Sequence, residues 1–458
     1  MGHHVVVGAG RSGLAVARHL AGAGQRAVLT DARCEPDAAS EAALAGLGVL
    51  AVWGAHPEAI LDEAESVVLS PGVSPALPFV QSARERGLPV LGELELAHRI
   101  LRARADGSRL LAVTGTNGKS TTTDLVAHLL RVAGLPAKAC GNLGTPLIEA
   151  LGDAGPGTVY ALECSSYQLE TVDTFHAEGA ALLNLTPDHL ARHGSLAAYL
   201  AAKQRIFGKQ TPADLRVLPA AHLDLGADAP GQGTTATFGW GDPGGSGAWC
   251  DGEGRLWMRL AGDAEALVHR DELMIPGDHN VENALAASLL ARHGGAGLEA
   301  LREGLKTYPG LAHRIALCGE CDGVKAYNDS KGTNVDATLT AIRALPGPLV
   351  LLLGGTDKGA SYAPLIDALE SKLHRLVFLG EAVPQLKRDL GHLPHDVAPR
   401  FDDAVRHALA LAEPGDQVLL SPACASFDQF RNFEVRGEAF RQAVSAIPGI
   451  EPIRGERR

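Results

Sequence analysis

A strand-like run, LLAVT, leads into Gly115-Thr116-Asn117-Gly118-Lys119-Ser120-Thr121 and then into the helical pattern TTTDLVAHLLRVAG. Strand, glycine loop and helix in that order present backbone NH groups and the positive end of a helix to an anion. Lys119 can reach the β and γ oxygens of a nucleoside triphosphate, and the Ser120 hydroxyl can ligate magnesium. The loop departs from the usual GxxxxGK[ST] pattern, because Val113 stands where the first glycine would be. A second glycine loop opens the chain: Gly8, Gly10 and Gly13 follow HVVV, and Asp31 ends the next strand-like run. Taken alone this GxGxxG indicates NAD, with Asp31 on a ribose hydroxyl. The same helix start suits any diphosphate, a UDP-sugar included, and the glycines also serve close strand-to-helix packing.

Other residues stand where their chemistry needs a partner. Glu163 ends the apolar run TVYALE, where a carboxylate is costly unless metal-bound or held in a buried ion pair. His189, after NLTPD, reads as a metal ligand or as a helix-start residue. Lys203 lies within an apolar stripe formed by Leu196, Tyr199, Leu200, Ile206 and Phe207. Facing inward, its amine would be held uncharged and able to take up carbon dioxide as a carbamate; a snorkelling ammonium is the ordinary alternative. Asn280 reads as a helix N-cap before VENALAASLL. Asp329 and Lys331 follow the strand VKAYN, at the edge where parallel sheets bind ligands, and Lys358 follows the glycine turn of LLLGGTDKG.

The elements that must position these groups form three α/β blocks. Strand candidates VVVG, AVLTD, VVLSPG and LPVLG make the first, over residues 1–96. The second, 97–310, starts at LLAVTG and ends near TYPGL; within it, residues 231–254 read as turns in small hairpins. The third, 311–458, contains VKAYNDS, PLVLLLGG, RLVFLG and QVLLSPA. The expected fold is a Rossmann-like amino-terminal domain, a central P-loop ATPase-like domain with a mostly parallel sheet, and a Rossmann-like carboxy-terminal domain. At about 150 residues per domain, 458 residues accommodate three.

A net charge of −12 argues against nucleic acid and anionic membrane as partners, so any phosphate site must be local. Seven scattered cysteines fit a reducing compartment, and the single CxxC at Cys318 and Cys321 has no second ligand pair for zinc. With no leader-like start and no apolar run of about 20 residues, the expectation is a cytoplasmic protein.

TGTNGKST resembles the nucleotide loop of the Mur ligases and of the related folylpolyglutamate synthases. ECSSYQLE (163–170), NLTPDHLARHGS (184–195), GDHNVENALAA (277–287), LAHRIA, NDSKGTN (328–334), GGTDKG and SPACASFDQF (421–430) follow in the Mur family's order, so the resemblance spans the chain. The complete GxGxxG domain disfavours the synthases, and DNPR, which marks many diaminopimelate-adding members, is absent. ECSSYQLE and SPACASFDQF are similar to those of D-glutamate-adding members.

The resemblance implies an ATP-dependent ligase that joins UDP-N-acetylmuramoyl-L-alanine to D-glutamate through an acyl phosphate and a tetrahedral intermediate, releasing ADP and phosphate. It implies ATP on Gly115 to Thr121, Asn280, Asn283, Arg314 and Asp329. Two magnesium sites, open to manganese, would fall to Ser120, Glu163, His189 and Lys203 as its carbamate. The UDP substrate would meet Ser12, Asp31, Arg33, Ser70, Asn142 and Gln168, and D-glutamate would meet Thr333, Lys358, Ser426, Phe427 and Phe433. Lys119, His189, Lys203 and Lys331 are the implied catalytic groups, with the general base left open between His189 and a neighbour. Substrates that contact three domains imply closure of the third over the second, hinged near Pro309 to Arg314, and a monomer is the family expectation. A ligase for another amino acid such as L-glutamate, an NAD-dependent oxidoreductase and a nonenzymatic nucleotide-binding regulator are the competing readings.

Overall fold

Short β-branched runs separated by helices give three sheets in the computed structural model, which describes residues 2–36, 38–357, 359, 361–447 and 451–452. The first sheet contains β1 (His3–Val7), β2 (Ala27–Asp31), β3 (Leu50–Trp53), β4 (Ala64–Leu69) and β5 (Val90–Gly92), in the order β3-β2-β1-β4-β5 and all parallel. This is the Rossmann-like arrangement, with the strand order reversing beside β1.

The central sheet contains β6 (Arg109–Thr114), β7 (Ala137–Gly141), β8 (Val159–Glu163), β9 (Gly179–Leu182), β10 (Leu215–Pro219), β11 (Thr234–Trp240), β12 (Gly247–Cys250), β13 (Arg255–Arg259) and β14 (Glu265–His269). Its order is β14-β13-β12-β11-β10-β9-β6-β8-β7, parallel from β7 to β12. The hairpin expectation for residues 231–254 holds only in part. DGEG turns β12 antiparallel into β13, but GDPGGSG returns the chain so that β12 runs parallel to β11, with Thr237 opposite Gly247. A Cβ on Gly247 would lie 2.5 Å from the Thr237 carbonyl oxygen, so that return needs glycine there.

The third sheet contains β15 (Ala316–Cys321), β16 (Val324–Asn328), β17 (Leu349–Gly354), β18 (Leu373–Leu379), β19 (His395–Val397), β20 (Gln417–Leu420) and β21 (Glu451–Pro452), in the order β19-β18-β17-β20-β16-β15-β21. Its centre is parallel and its β15 edge antiparallel. In β17, Leu349, Leu351 and Leu353 face one apolar cluster while Val350 and Leu352 face the other, and all five are fully buried. Helices therefore cover both faces, and a continuous apolar strand replaces an alternating one.

The described residues fall into two compact units. One, 1–270 with 282–305, holds the first two sheets, whose facing side chains share a core that includes Val6, Leu14, Leu94, Leu110, Tyr160 and Phe175. The other, 271–281 with 306–458, holds the third sheet. Among the described residues, no helix is long and apolar enough to cross a membrane.

Candidate functional site

β6 lies between β8 and β9, where the strand order of the central sheet reverses, and the glycine loop leaves its carboxyl end. Gly115 (φ 155°) and Gly118 (φ 81°) make the turn that starts the helix Lys119–Val132. At Gly118 a Cβ would stand 2.4 Å from the Asn283 side-chain oxygen, which also accepts from Thr122 Oγ1 at 3.2 Å. Asn184, two residues past β9, accepts from the NH groups of Thr116 and Asn117 at 3.1 and 2.9 Å. Two of the loop's donors are thus engaged in holding its shape. Asn184 opens the NLTPDH run without a chemistry-bearing side chain of its own, and only its position two residues past a strand adjoining the glycine loop marks it as a brace.

Two lysines converge on the loop. Lys119 Nζ donates to the carbonyls of Gly115 (3.1 Å) and Thr116 (2.8 Å), and Lys203 Nζ donates to the same Gly115 carbonyl at 2.6 Å. Lys203, on the helix Leu196–Gln204, is 1% exposed, with its ammonium turned inward over the Tyr199 ring at 4.3 Å. Burial, aided by the nearby Lys119 charge, lowers its pKa to about 7. The stripe that carries it is shorter than its sequence pattern, since Leu196 is exposed in the first turn.

Glu163, the last residue of β8, is 2% exposed. Asn142 Nδ2 donates to its Oε1 at 2.7 Å, whereas its Oε2 has no hydrogen-bond partner. A buried carboxylate oxygen in that state calls for a cation. His189 begins the short helix Leu190–His193 with φ 54° and receives or gives a hydrogen bond at Nδ1 with the Tyr167 hydroxyl, 3.2 Å away. No group of three or more His, Cys, Asp or Glu able to hold a metal occurs among the described residues. A magnesium site here would accordingly mix donor types: Ser120 and Glu163, with His189 and Lys203 as further candidates, all oxygen or nitrogen donors that suit a hard cation if the lysine carries a carboxylate.

In the first sheet's loop, Asp31 closes the turn. Its Oδ2 accepts from Ala9 N at 2.6 Å, its Oδ1 from Arg33 N and Nε, and Arg33 Nη2 donates to the Ala9 carbonyl. Burial raises the Asp31 carboxyl, but these hydrogen bonds outweigh it and hold it below the ordinary range. Ser70 Oγ donates to the Gly8 carbonyl, and a Cβ on Gly13 would lie 1.9 Å from that same oxygen. The packing reading of these glycines is therefore real, whatever ligand they also meet. Ala9, Gly10, Arg11, Asp31 and Arg33 line a pocket with a volume of about 520 Å³, at the helix Arg11–Gly22 that carries Ser12. Gln168 is 4% exposed, and its Oε1 closes a capping box with Ser165.

In the other unit, Asp329 is 6% exposed and accepts from Ser421 Oγ at 2.7 Å. Burial raises its carboxyl to about 7, against the opposing pull of Ser421 and Arg314. Lys331 Nζ lies over the Phe433 ring at 5.6 Å, and Thr333 follows one residue beyond the intervening Gly332. Ser426 is buried, whereas the adjacent Phe427 is 71% exposed. Asn280 is not an N-cap: the helix Asp278–His293 begins two residues earlier, and the Asn280 amide donates back to the Pro276 carbonyl. Lys358 lies outside the described residues.

Residues 2–92, 113–291 and 313–424 match, in turn, the Mur ligase MurD-like N-terminal domain, the Mur ligase middle domain and the Mur ligase glutamate ligase domain. The chain is 43% identical to the UDP-N-acetylmuramoylalanine--D-glutamate ligase of Anaeromyxobacter dehalogenans, over 96% of each chain. It is 42% identical to the protein of that name from Myxococcus xanthus, over 97% of this chain and 98% of that one. Among solved structures, the UDP-N-acetylmuramate-alanine ligase of Thermotoga maritima superposes with a TM-score of 0.58 at 20% identity, covering 97% of this chain and 99% of that one, a likeness of fold.

Proposed function

Because the chain belongs to the Mur ligase family, whose members are ATP-dependent amide-forming ligases, we propose that it joins D-glutamate to UDP-N-acetylmuramoyl-L-alanine in peptidoglycan precursor synthesis. The full-length likeness to ligases of that name supports the substrate pair. Within the site, the observation that carries the chemistry is the pair of lysines on the Gly115 carbonyl beside a buried carboxylate with one oxygen unpartnered.

A carboxylate is a poor electrophile, so the alanyl carboxylate first attacks the γ-phosphoryl group of ATP, giving an acyl phosphate and ADP. The glycine loop and Lys119 hold the phosphates in line, with Asn184 keeping the loop in shape. The D-glutamate amine then attacks the acyl carbon, and the tetrahedral oxyanion develops beside Lys119 and Lys331 before phosphate leaves. His189, oriented by Tyr167, or a neighbour takes the amine proton. Magnesium, in two sites on Ser120, Glu163, His189 and Lys203 carbamate and replaceable by manganese, would supply charge neutralisation to the phosphates. The lowered pKa of Lys203 supports its carbamylation, because only the free amine reacts with carbon dioxide. A crystal map from bicarbonate-containing solution showing a bare amine would refute that assignment.

Asp31, Arg33, Ser12, Ser70, Asn142 and Gln168 serve the UDP substrate in this reading. Asn280, Asn283, Arg314 and Asp329 serve ATP, while Thr333, Lys358, Ser426, Phe427 and Phe433 serve glutamate. The domains are taken as 1–96, 97–310 and 311–458, in a cytoplasmic monomer whose third domain closes on substrate. Unchanged solution scattering with ATP analogue and substrate together would count against closure. The decisive assay is phosphate release with UDP-N-acetylmuramoyl-L-alanine and either D- or L-glutamate. Release that needs D-glutamate is the expected result; preference for the L-isomer, or product without ATP consumption, would overturn the assignment.

A further inference from the structure

Arg436 lies in the first turns of the helix Phe433–Ser445, whose start is set by Asn432 Oδ1 accepting from Val435 N. It is 1% exposed. A guanidinium so deeply buried is costly unless its donors are satisfied. All five of its side-chain hydrogen bonds among the described residues end on two loops. Nε donates to Ser330 Oγ at 3.0 Å and Nη2 to the Ser330 carbonyl at 2.8 Å. Nη1 donates to the carbonyls of Cys424 and Ala425, and Nη2 also to Cys424, each at 3.2 Å. None goes to a carboxylate. Burial lowers the guanidinium's pKa to about 10.

The two loops are those that follow β16 and β20. Ser330 sits between Asp329 and Lys331, and Ala425 precedes Ser426 and Phe427. A third loop, after β17, presses on the same group: a Cβ on Gly355 would come within 3.2 Å of Nη1 and 2.2 Å of the Ala425 carbonyl oxygen. Ser330 Oγ in turn donates to the Phe433 carbonyl, so the contact closes on the helix that carries Arg436. A planar fork can bridge two backbones in this way, and a lysine, with its compact ammonium, cannot. An apolar residue of similar volume would serve simple packing at least as well.

We infer that Arg436 is a positioning residue that locks the Asp329–Lys331 segment to the Cys424–Phe427 segment, so that the phosphate-facing and glutamate-facing groups of the third domain are presented in one fixed register. This rests on the reading above that these segments meet ATP and glutamate. R436K and R436M in the full chain test it, by ADP formation with each substrate varied in turn and by urea unfolding. Folded variants should show the KM for D-glutamate raised about tenfold and kcat reduced, with the KM for the UDP substrate within about twofold. Guanidinium added to R436A should recover part of the lost kcat. Should R436M fail to fold, R436K and S330A decide; S330A removes one acceptor on the nucleotide side and should still raise the glutamate KM, by about threefold. A glutamate KM within about twofold of the parent in the folded variants overturns the inference. A parent chain that makes no ADP with D-glutamate would instead overturn the functional reading beneath it.

Discussion

Two loops in this molecule share one backbone plan, and different side chains close them. After β1 and after β6, a strand runs through a glycine turn into a helix, with Gly8 at positive φ in the first and Gly115 and Gly118 in the second. The first is closed by a carboxylate, Asp31 on the Ala9 NH, with Arg33 across it. The second is closed by an amide, Asn184, and carries two lysines on one carbonyl. Both helix starts attract anions. A carboxylate placed inside the first opposes a triphosphate there, whereas the neutral amide of the second, with Lys119 beside it, favours one. The closing residue, rather than the glycine pattern, sets the charge that each loop offers an anion.

The largest break in this contrast should come from K119A, which removes a phosphate-facing cation: turnover in the phosphate-release assay should fall about a thousandfold, with little change in the KM for the UDP substrate. A variant with full turnover would end the ligase reading.

Next in size is a stability effect at Glu93, in the segment linking the two loop-bearing sheets. Glu93 is fully buried; Oε1 accepts from Ile148 N while Oε2 has no partner, and burial raises the carboxyl to about 7. The folded chain therefore holds a proton that the unfolded chain has released above about pH 4.5. The contribution is complete below that pH and is lost as pH rises through 7, a change of about 3 kcal/mol. Urea unfolding from pH 5 to 8 should show that decline, and Glu93→Gln should flatten it. A slope identical in both proteins would refute it.

Asn184→Ala removes the side-chain acceptor of two loop NH groups, of which Thr116 keeps the Asn184 carbonyl, and should cost about 1 kcal/mol of ATP binding, read as a raised KM for ATP with the UDP substrate unaffected. The smallest effect, about 0.5 kcal/mol, is expected for Asp31→Asn, which keeps the shape but weakens a charge-assisted bond. Here the KM for the UDP substrate should move and that for ATP should not; the reverse pattern would erase the distinction between the loops.

Much of this was legible in the residues themselves. The β17 run PLVLLLGG and the strand–glycine–helix passages announce parallel sheets, because local periodicity and turn chemistry act over a few residues. The short edge strands β3, β19 and β21 carried no comparable signal, since an edge strand is specified by the neighbour it pairs with. The parallel return into β12 was misread for a related reason: glycine marks a turn without saying on which side the chain comes back.

Spacing along the chain is enough to set the α/β class, the two glycine loops and the lysine-bearing helix. Tertiary packing alone makes Lys203 and Lys119 share a carbonyl across 84 residues, sets Asn184 to brace a loop 67 residues away, turns the Asn280 amide back on Pro276, and lets Arg436 join two loops. Hydrogen bonds between distant segments depend on which strands become neighbours, and that is fixed by the packing of whole sheets and not by any local run of residues.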